Sequence, residues 1–243
     1  MGINQSYIPK ENLKSQQYIN NIENWTIEKK MKLNQDKTKY MIFNFTYNYQ
    51  FSTRLYMNNI LLDCVNEIKL LGNIISSDLS WTANTSRLIK KAYARMQILR
   101  NLYSFNVSIK DLILIYIIYI RCYLEQSCIV WGSSITLEES DSIERVQKVA
   151  LRICLRDDDN CYEQALIATK LESLEKRRKM LALRFAKKCV KHPEMKRMFP
   201  VNDKKSGAVT RNSETFYVQP TNTERLANSS IPYMQRLLNQ YVS

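Results

Sequence analysis

Apolar residues recur with mixed spacing in the first third of the chain and with helical spacing thereafter. Leu13, Ile19, Ile22, Trp25 and Met31 predict an amphipathic helix over residues 11–33. Residues 37–45 alternate and are rich in Tyr, Ile and Phe, as a strand would be. Arg54-Leu55-Tyr56-Met57 and Ile60-Leu61-Leu62 flank Asn58-Asn59, a pair suited to a tight hairpin turn. Residues 67–76 read as a further apolar strand, with Gly72 marking a bulge or a close backbone approach.

Beyond Trp81 the period becomes 3.6. Leu88, Ala92, Met96, Leu99 and Tyr103 form one stripe of a helix over residues 82–103, and Arg87, Lys91 and Arg95 form another, with Lys90 beside them. Ser108-Ile109-Lys110-Asp111 resembles a capping box that opens a buried helix through Ile120; the isoleucines would also suit a strand, but the cap and the length favour helix. Residues 137–155 turn Ile143, Val146, Val149 or Ala150, and Ile153 inward, and Asp157-Asp158-Asp159-Asn160 ends that helix at a solvated terminus. The most basic helix, over residues 172–191, has Leu174, Leu181 and Phe185 as its apolar stripe. Lys176, Arg184, Lys187 and Lys191 share a different face, and Pro193 stops it. Residues 201–222 read as a polar loop, and residues 226–239 as a last helix around Pro232. The expected class is α+β, predominantly α: a small antiparallel sheet with one helix, then a helical bundle.

Composition agrees with long helices, since the chain of 243 residues has 4 Gly and 5 Pro, too few for a many-turned sandwich or barrel. The net charge of +13 favours an anionic partner, nucleic acid or an acidic membrane surface; a basic but inert surface is the alternative. The longest apolar run, Leu112 to Ile120, ends at Arg121, short of the ~20 residues a membrane span needs. Met1-Gly2-Ile3-Asn4-Gln5-Ser6 fits the myristoylation pattern, but that pattern is degenerate, so Gly2 is not read as an anchor. The N-terminus is Asn/Gln-rich, without a secretory signal, and an intracellular location, cytoplasmic or nuclear, is expected. Cys64, Cys122, Cys128, Cys154, Cys161 and Cys189 form no Cys-x-x-Cys pair, and His192 is the single histidine; no zinc site is expected, and the cysteines read as buried thiols.

Several stretches resemble, in order, the C-terminal part of non-LTR (LINE, jockey-like) retrotransposon reverse transcriptases. Lys32-Leu33-Asn34-Gln35-Asp36-Lys37-Thr38-Lys39 is similar to the family's LN-x-x-KT-K signature. Leu70-Leu71-Gly72-Asn73-Ile74-Ile75 with Leu79-Ser80-Trp81 is similar to its LLG … L-x-W segment. Ile115-Tyr116, Leu124-Glu125-Gln126-Ser127, Val130-Trp131 and Glu144-Arg145-Val146-Gln147-Lys148 follow the thumb and post-thumb pattern. Leu171-Glu172-Ser173-Leu174 with Arg177-Arg178, and Arg225-Leu226 with Ile231-Pro232 and Leu238-Asn239, complete it.

The resemblance implies a partial palm over residues 1–78, a helical thumb and post-thumb domain over 79–200, and a polar linker with a C-terminal helix over 201–243. It implies RNA-directed DNA polymerase ancestry. The full-length family enzyme would use Mg2+ held by palm aspartates, two of them adjacent in a turn upstream of the Trp25 segment. Here the first aspartate is Asp36, with no such pair before it, so no metal cofactor and no polymerase activity are expected of this chain alone. Lys37 matches a palm lysine near the leaving pyrophosphate, or is a plain surface lysine. Leu71 and Gly72, with Lys69, match the hairpin that grips the primer end; a strand bulge in a core fits equally well. Arg87, Lys90, Lys91 and Arg95, and then Lys176, Arg184, Lys187 and Lys191, are candidates for the phosphates of a primer–template duplex or RNA/DNA hybrid, against solvated helix faces. Trp81 and Trp131 read as core anchors. Two other functions stay open: a helical protein-interaction module without nucleic-acid affinity, and a subunit complementing a separate palm.

Overall fold

The computed structural model describes residues 10–45, 53–156, 161–202 and 216–242. Gly2, the acidic run Asp157-Asp158-Asp159 and most of the polar loop expected before the last helix lie outside them. The fold is α+β and predominantly α, as the pattern predicts. The chain forms two compact units, Met1–Ser80 and Trp81–Ser243.

The first unit begins with helix α1 (Lys10–Glu28) and a 3-10 turn at Gln35–Lys37, capped by the Asn34 side chain accepting from the Lys37 amide. Short strands follow: β1 (Lys39–Tyr40), β2 (Tyr56–Met57), β3 (Ile60–Leu61), β4 (Asp63–Cys64), β5 (Glu67–Leu70) and β6 (Asn73–Ser76). The described residues do not form the single antiparallel sheet expected. They form separate pairs: β1 with β4 in parallel, β2 with β3 and β5 with β6 antiparallel. The strand expected over residues 37–45 shrinks to β1 because the capped turn occupies its start.

Asn58 and Asn59 form the β2–β3 turn, at φ 47° and 62°, as their side chains suggest. Residues 67–76 are not one bulged strand. Leu71 and Gly72 take φ 47° and 86°, and the chain folds back with Leu70 opposite Asn73 and Glu67 opposite Ser76. Gly72 takes that backbone freely, while Leu71 does so at a cost of about 1–2 kcal/mol. The core here is small: Leu55, Met57 and Leu62, with Ile19, Leu33 and Tyr40 packed on it. Gln16 of α1 holds the hairpin edge, its amide donating to the Tyr56 carbonyl at 2.7 Å and accepting from the Tyr56 amide at 2.9 Å. The expected α1 stripe is largely uncovered, with Ile22, Trp25 and Met31 about half exposed.

The second unit is helical: α2 (Thr82–Ser104), α3 (Ile109–Ile115), a π-helical turn at Tyr116–Arg121, α4 (Cys122–Leu124), α5 (Cys128–Trp131), α6 (Leu137–Leu155), α7 (Tyr162–Thr169) and α8 (Leu174–Lys191). A 3-10 turn at Met195–Met198, α9 (Glu224–Ala227) and α10 (Ser230–Val242) complete it. Leu88, Ala92, Met96 and Leu99 of α2 are fully buried with Ile143, Val146, Ala150 and Cys154 of α6, around Tyr116 and Trp131. Each large apolar side chain so buried contributes roughly 1.5–3 kcal/mol. A second cluster joins Ala182, Ala186 and Cys189 of α8 to Phe199 and to Met234, Leu237 and Leu238 of α10.

Several expectations need correcting. Tyr103 is not on the buried stripe; it is 41% exposed and lies under the Arg156 guanidinium. Ser108 does cap α3, but the Asp111 carboxylate takes the Ser108 hydroxyl instead of reaching the backbone, so the box is half formed. The full capping box is at Thr136 and Glu139, opening α6. The expected helix through Ile120 widens into the π turn, which keeps Tyr116 and Ile120 inward. On α8 the buried line is Leu174, Arg178, Ala182, Ala186 and Cys189, while Leu181 and Phe185 are only half-buried. Cys128, Cys154 and Cys189 are buried, but Cys64, Cys122 and Cys161 are exposed.

Candidate nucleic-acid interface

Helix α8 is fixed at its start and along its inner side. Ser173 caps it by accepting from the Lys176 amide, and the Glu144 carboxylate of α6 accepts from the Leu174 and Glu175 amides at 3.0 and 3.3 Å. An anion at a helix start is favoured by the helix dipole as well. With small residues Ala182 and Ala186 facing α10, the basic residues are left on the outer side.

Those residues are not equivalent. Lys176 Nζ pairs with Glu172 at 2.9 Å, and Lys187 Nζ sits 3.2 Å from the centre of the Tyr241 ring. Arg184, Lys188 and Lys191 are exposed and form no ion pair among the described residues. Lys188 was not part of the sequence stripe. Its position four after Arg184 could have placed it there.

The α2 stripe divides more sharply. The Arg95 guanidinium lies 3.5 Å from the Tyr123 ring centre and 4.3 Å from that of Tyr119, and Nη1 donates to the Tyr119 carbonyl at 2.8 Å. It is committed to holding α2 against the π turn. Arg87 is half-buried and donates to Asn84 Oδ1 at 3.1 Å. Lys90 and Lys91 are exposed, with Lys91 5.7 Å from the Tyr123 ring centre.

In the first unit, Lys69 is exposed on β5, and Leu71, 90% exposed, stands at the β5–β6 turn beside Gly72. Lys37 is exposed at the end of the 3-10 turn. Among the described residues, no group of His, Cys, Asp or Glu comes together that could hold a metal ion.

Polar residues of the family-like motifs do structural work that pattern reading did not anticipate. Arg177 of α8 grips both carboxylate oxygens of Glu125, through Nε and, at 3.0 Å, through Nη2; Arg121 Nε stands 3.6 Å from the same carboxylate. The Glu125 hydrogen bond raises the Arg177 pKa, while burial and then the like charge of Arg177 lower that of Arg121. Tyr116 and Gln147 are buried together, and Gln147 Nε2 donates to the Tyr162 hydroxyl at 2.8 Å and the Glu172 carbonyl at 3.0 Å. Trp131 is buried, its indole donating to the Gln126 carbonyl at 2.8 Å.

No family model, curated protein or solved structure matches the chain.

Proposed function

We propose that this chain is a late-palm and thumb-like part of a non-LTR retrotransposon reverse transcriptase, and that it binds nucleic-acid duplex or RNA/DNA hybrid through phosphates, without reading sequence. The observation that carries the reading is the outer face of α8. Arg184, Lys188 and Lys191 stand exposed and without ion pairs among the described residues, on a helix packed too firmly to be a loose tail. The net charge of +13 and the ordered motif likeness support it. Phosphate contacts give affinity that falls steeply with salt, so fluorescence anisotropy of a labelled duplex across a salt series is the test. Binding at low salt, equal for unrelated sequences, is expected; no binding at low salt counts against the proposal.

A second reading is favoured by the first unit. Trp25, Phe45 and Leu71 are 52%, 62% and 90% exposed on a unit with a small core. Apolar exposure of that kind suits a protein partner, a separate palm among them. Failure of this chain to co-elute with a separate finger–palm fragment in size-exclusion chromatography, or to restore its primer extension, counts against that partner.

A further inference from the structure

A cleft of about 390 Å3 in the second unit lies among α5, the start of α6, α8 and α10. Arg178 of α8 lines it and is 5% exposed. Its Nη2 donates to the Ser140 hydroxyl at 2.6 Å, while Nη1 is buried with no hydrogen-bond partner among the described residues. Arg178 joins no ion pair among the described residues. A second such group lines the same cleft: the Ser133 hydroxyl is buried and has no hydrogen-bond partner among the described residues. Gly132 makes room for the arginine stem, since a Cβ there would stand 3.2 Å from Arg178 Cδ.

A buried guanidinium lacking an anion is costly, and an unmet donor beside it adds to that cost. Arginine's planar fork suits two oxygens of one oxyanion. The starts of α6 and α8 are not its donors: Thr136 accepts from the Glu139 amide, and Glu144 from the Leu174 and Glu175 amides. Lys179, exposed at the cleft, adds positive charge, and Glu175, also lining it, opposes an anion.

We propose that this cleft binds a phosphate group, with Arg178 Nη1 and the Ser133 hydroxyl as donors. The group comes from free phosphate or from a nucleic-acid backbone. The site is separate from the α8 face and stands without it.

Thermal unfolding of the full chain in inorganic phosphate, at ionic strength held constant with chloride, tests the site. At phosphate a hundredfold above its Kd, Tm rises by roughly 5–10 °C. Arg178→Met, with folding checked by circular dichroism, is stable without phosphate and shows no rise. Should it fail to fold, Ser133→Ala keeps the charge and weakens phosphate binding about fivefold. A rise given only by an oligonucleotide, and lost in Arg178→Met, supports the site and assigns the phosphate to a backbone. No rise with either, or an equal rise in the variants, overturns it. Arg184→Ser/Lys188→Ser/Lys191→Ser keeps the phosphate response, so failure of the α8 reading is seen separately.

Discussion

Tyr116 donates its hydroxyl proton to Gln147 Oε1 at 2.5 Å, and both side chains are wholly excluded from water. The bond ties the π turn to α6, and the amide end of Gln147 carries the tie on to Tyr162 of α7 and to the segment before α8. Gln147→Leu should therefore destabilise the second unit by about 2–4 kcal/mol, because it leaves Tyr116 and a carbonyl unsatisfied in the core. Urea unfolding measures it. A loss below about 0.5 kcal/mol would mean that water replaces the amide.

Arg95 separates structural from binding roles among the basic residues. Arg95→Ala removes its cation–π contacts and a hydrogen bond, and should cost about 1–2 kcal/mol of stability. The salt slope of duplex binding should stay unchanged. A slope lowered by about one would show that Arg95 also contacts phosphate.

Gly132 has an ordinary right-handed backbone, so space alone demands glycine there. An added Cβ would lie 2.5 Å from the Cys128 carbonyl oxygen. Gly132→Ala should destabilise the chain by about 1–3 kcal/mol, read as a lowered Tm. An unchanged Tm would show that α5 can yield.

The hairpin tip gives the opposite sign. Leu71 holds a left-handed backbone at 90% exposure, so Leu71→Asn should stabilise by about 0.5–1 kcal/mol. A gain in stability together with weaker duplex binding would assign the leucine a ligand contact.

Burial raises the Cys128 thiol pKa to about 11 and that of Cys154 to about 12. A thiol pKa raised by folding adds stability that is whole below its unfolded value, near 8.5, and is lost as pH climbs toward the folded value. The urea midpoint should thus hold steady up to about pH 8.5 and decline toward pH 11. Cys154→Val should soften that decline, and an identical decline in the variant would assign it to other groups.

Long-range partners explain what the sequence could not tell. The α2 stripe from Leu88 to Leu99 and the Asn58-Asn59 turn were legible because each depends on local periodicity or local backbone preference. At Leu71-Gly72 the family resemblance offers a hairpin, whereas the local pattern reads one strand, because a leucine at positive φ is a poor local signal. Likewise Arg178 and Arg95 look like any surface arginine in a basic helix. Their burial and stacking depend on Gly132, Tyr119 and Tyr123, all distant along the chain. The candidate interface was legible as charge, but which cations remain free depended on Glu172 and Tyr241.

The most direct test of the nucleic-acid reading is the salt dependence of duplex binding by the chain and by Arg184→Ser/Lys188→Ser/Lys191→Ser. If these side chains meet phosphates, the slope of log K against log salt becomes shallower by about 2–3 in the variant, whatever the duplex sequence. An unchanged slope, or no binding by either protein at low salt, would contradict the proposed role of α8.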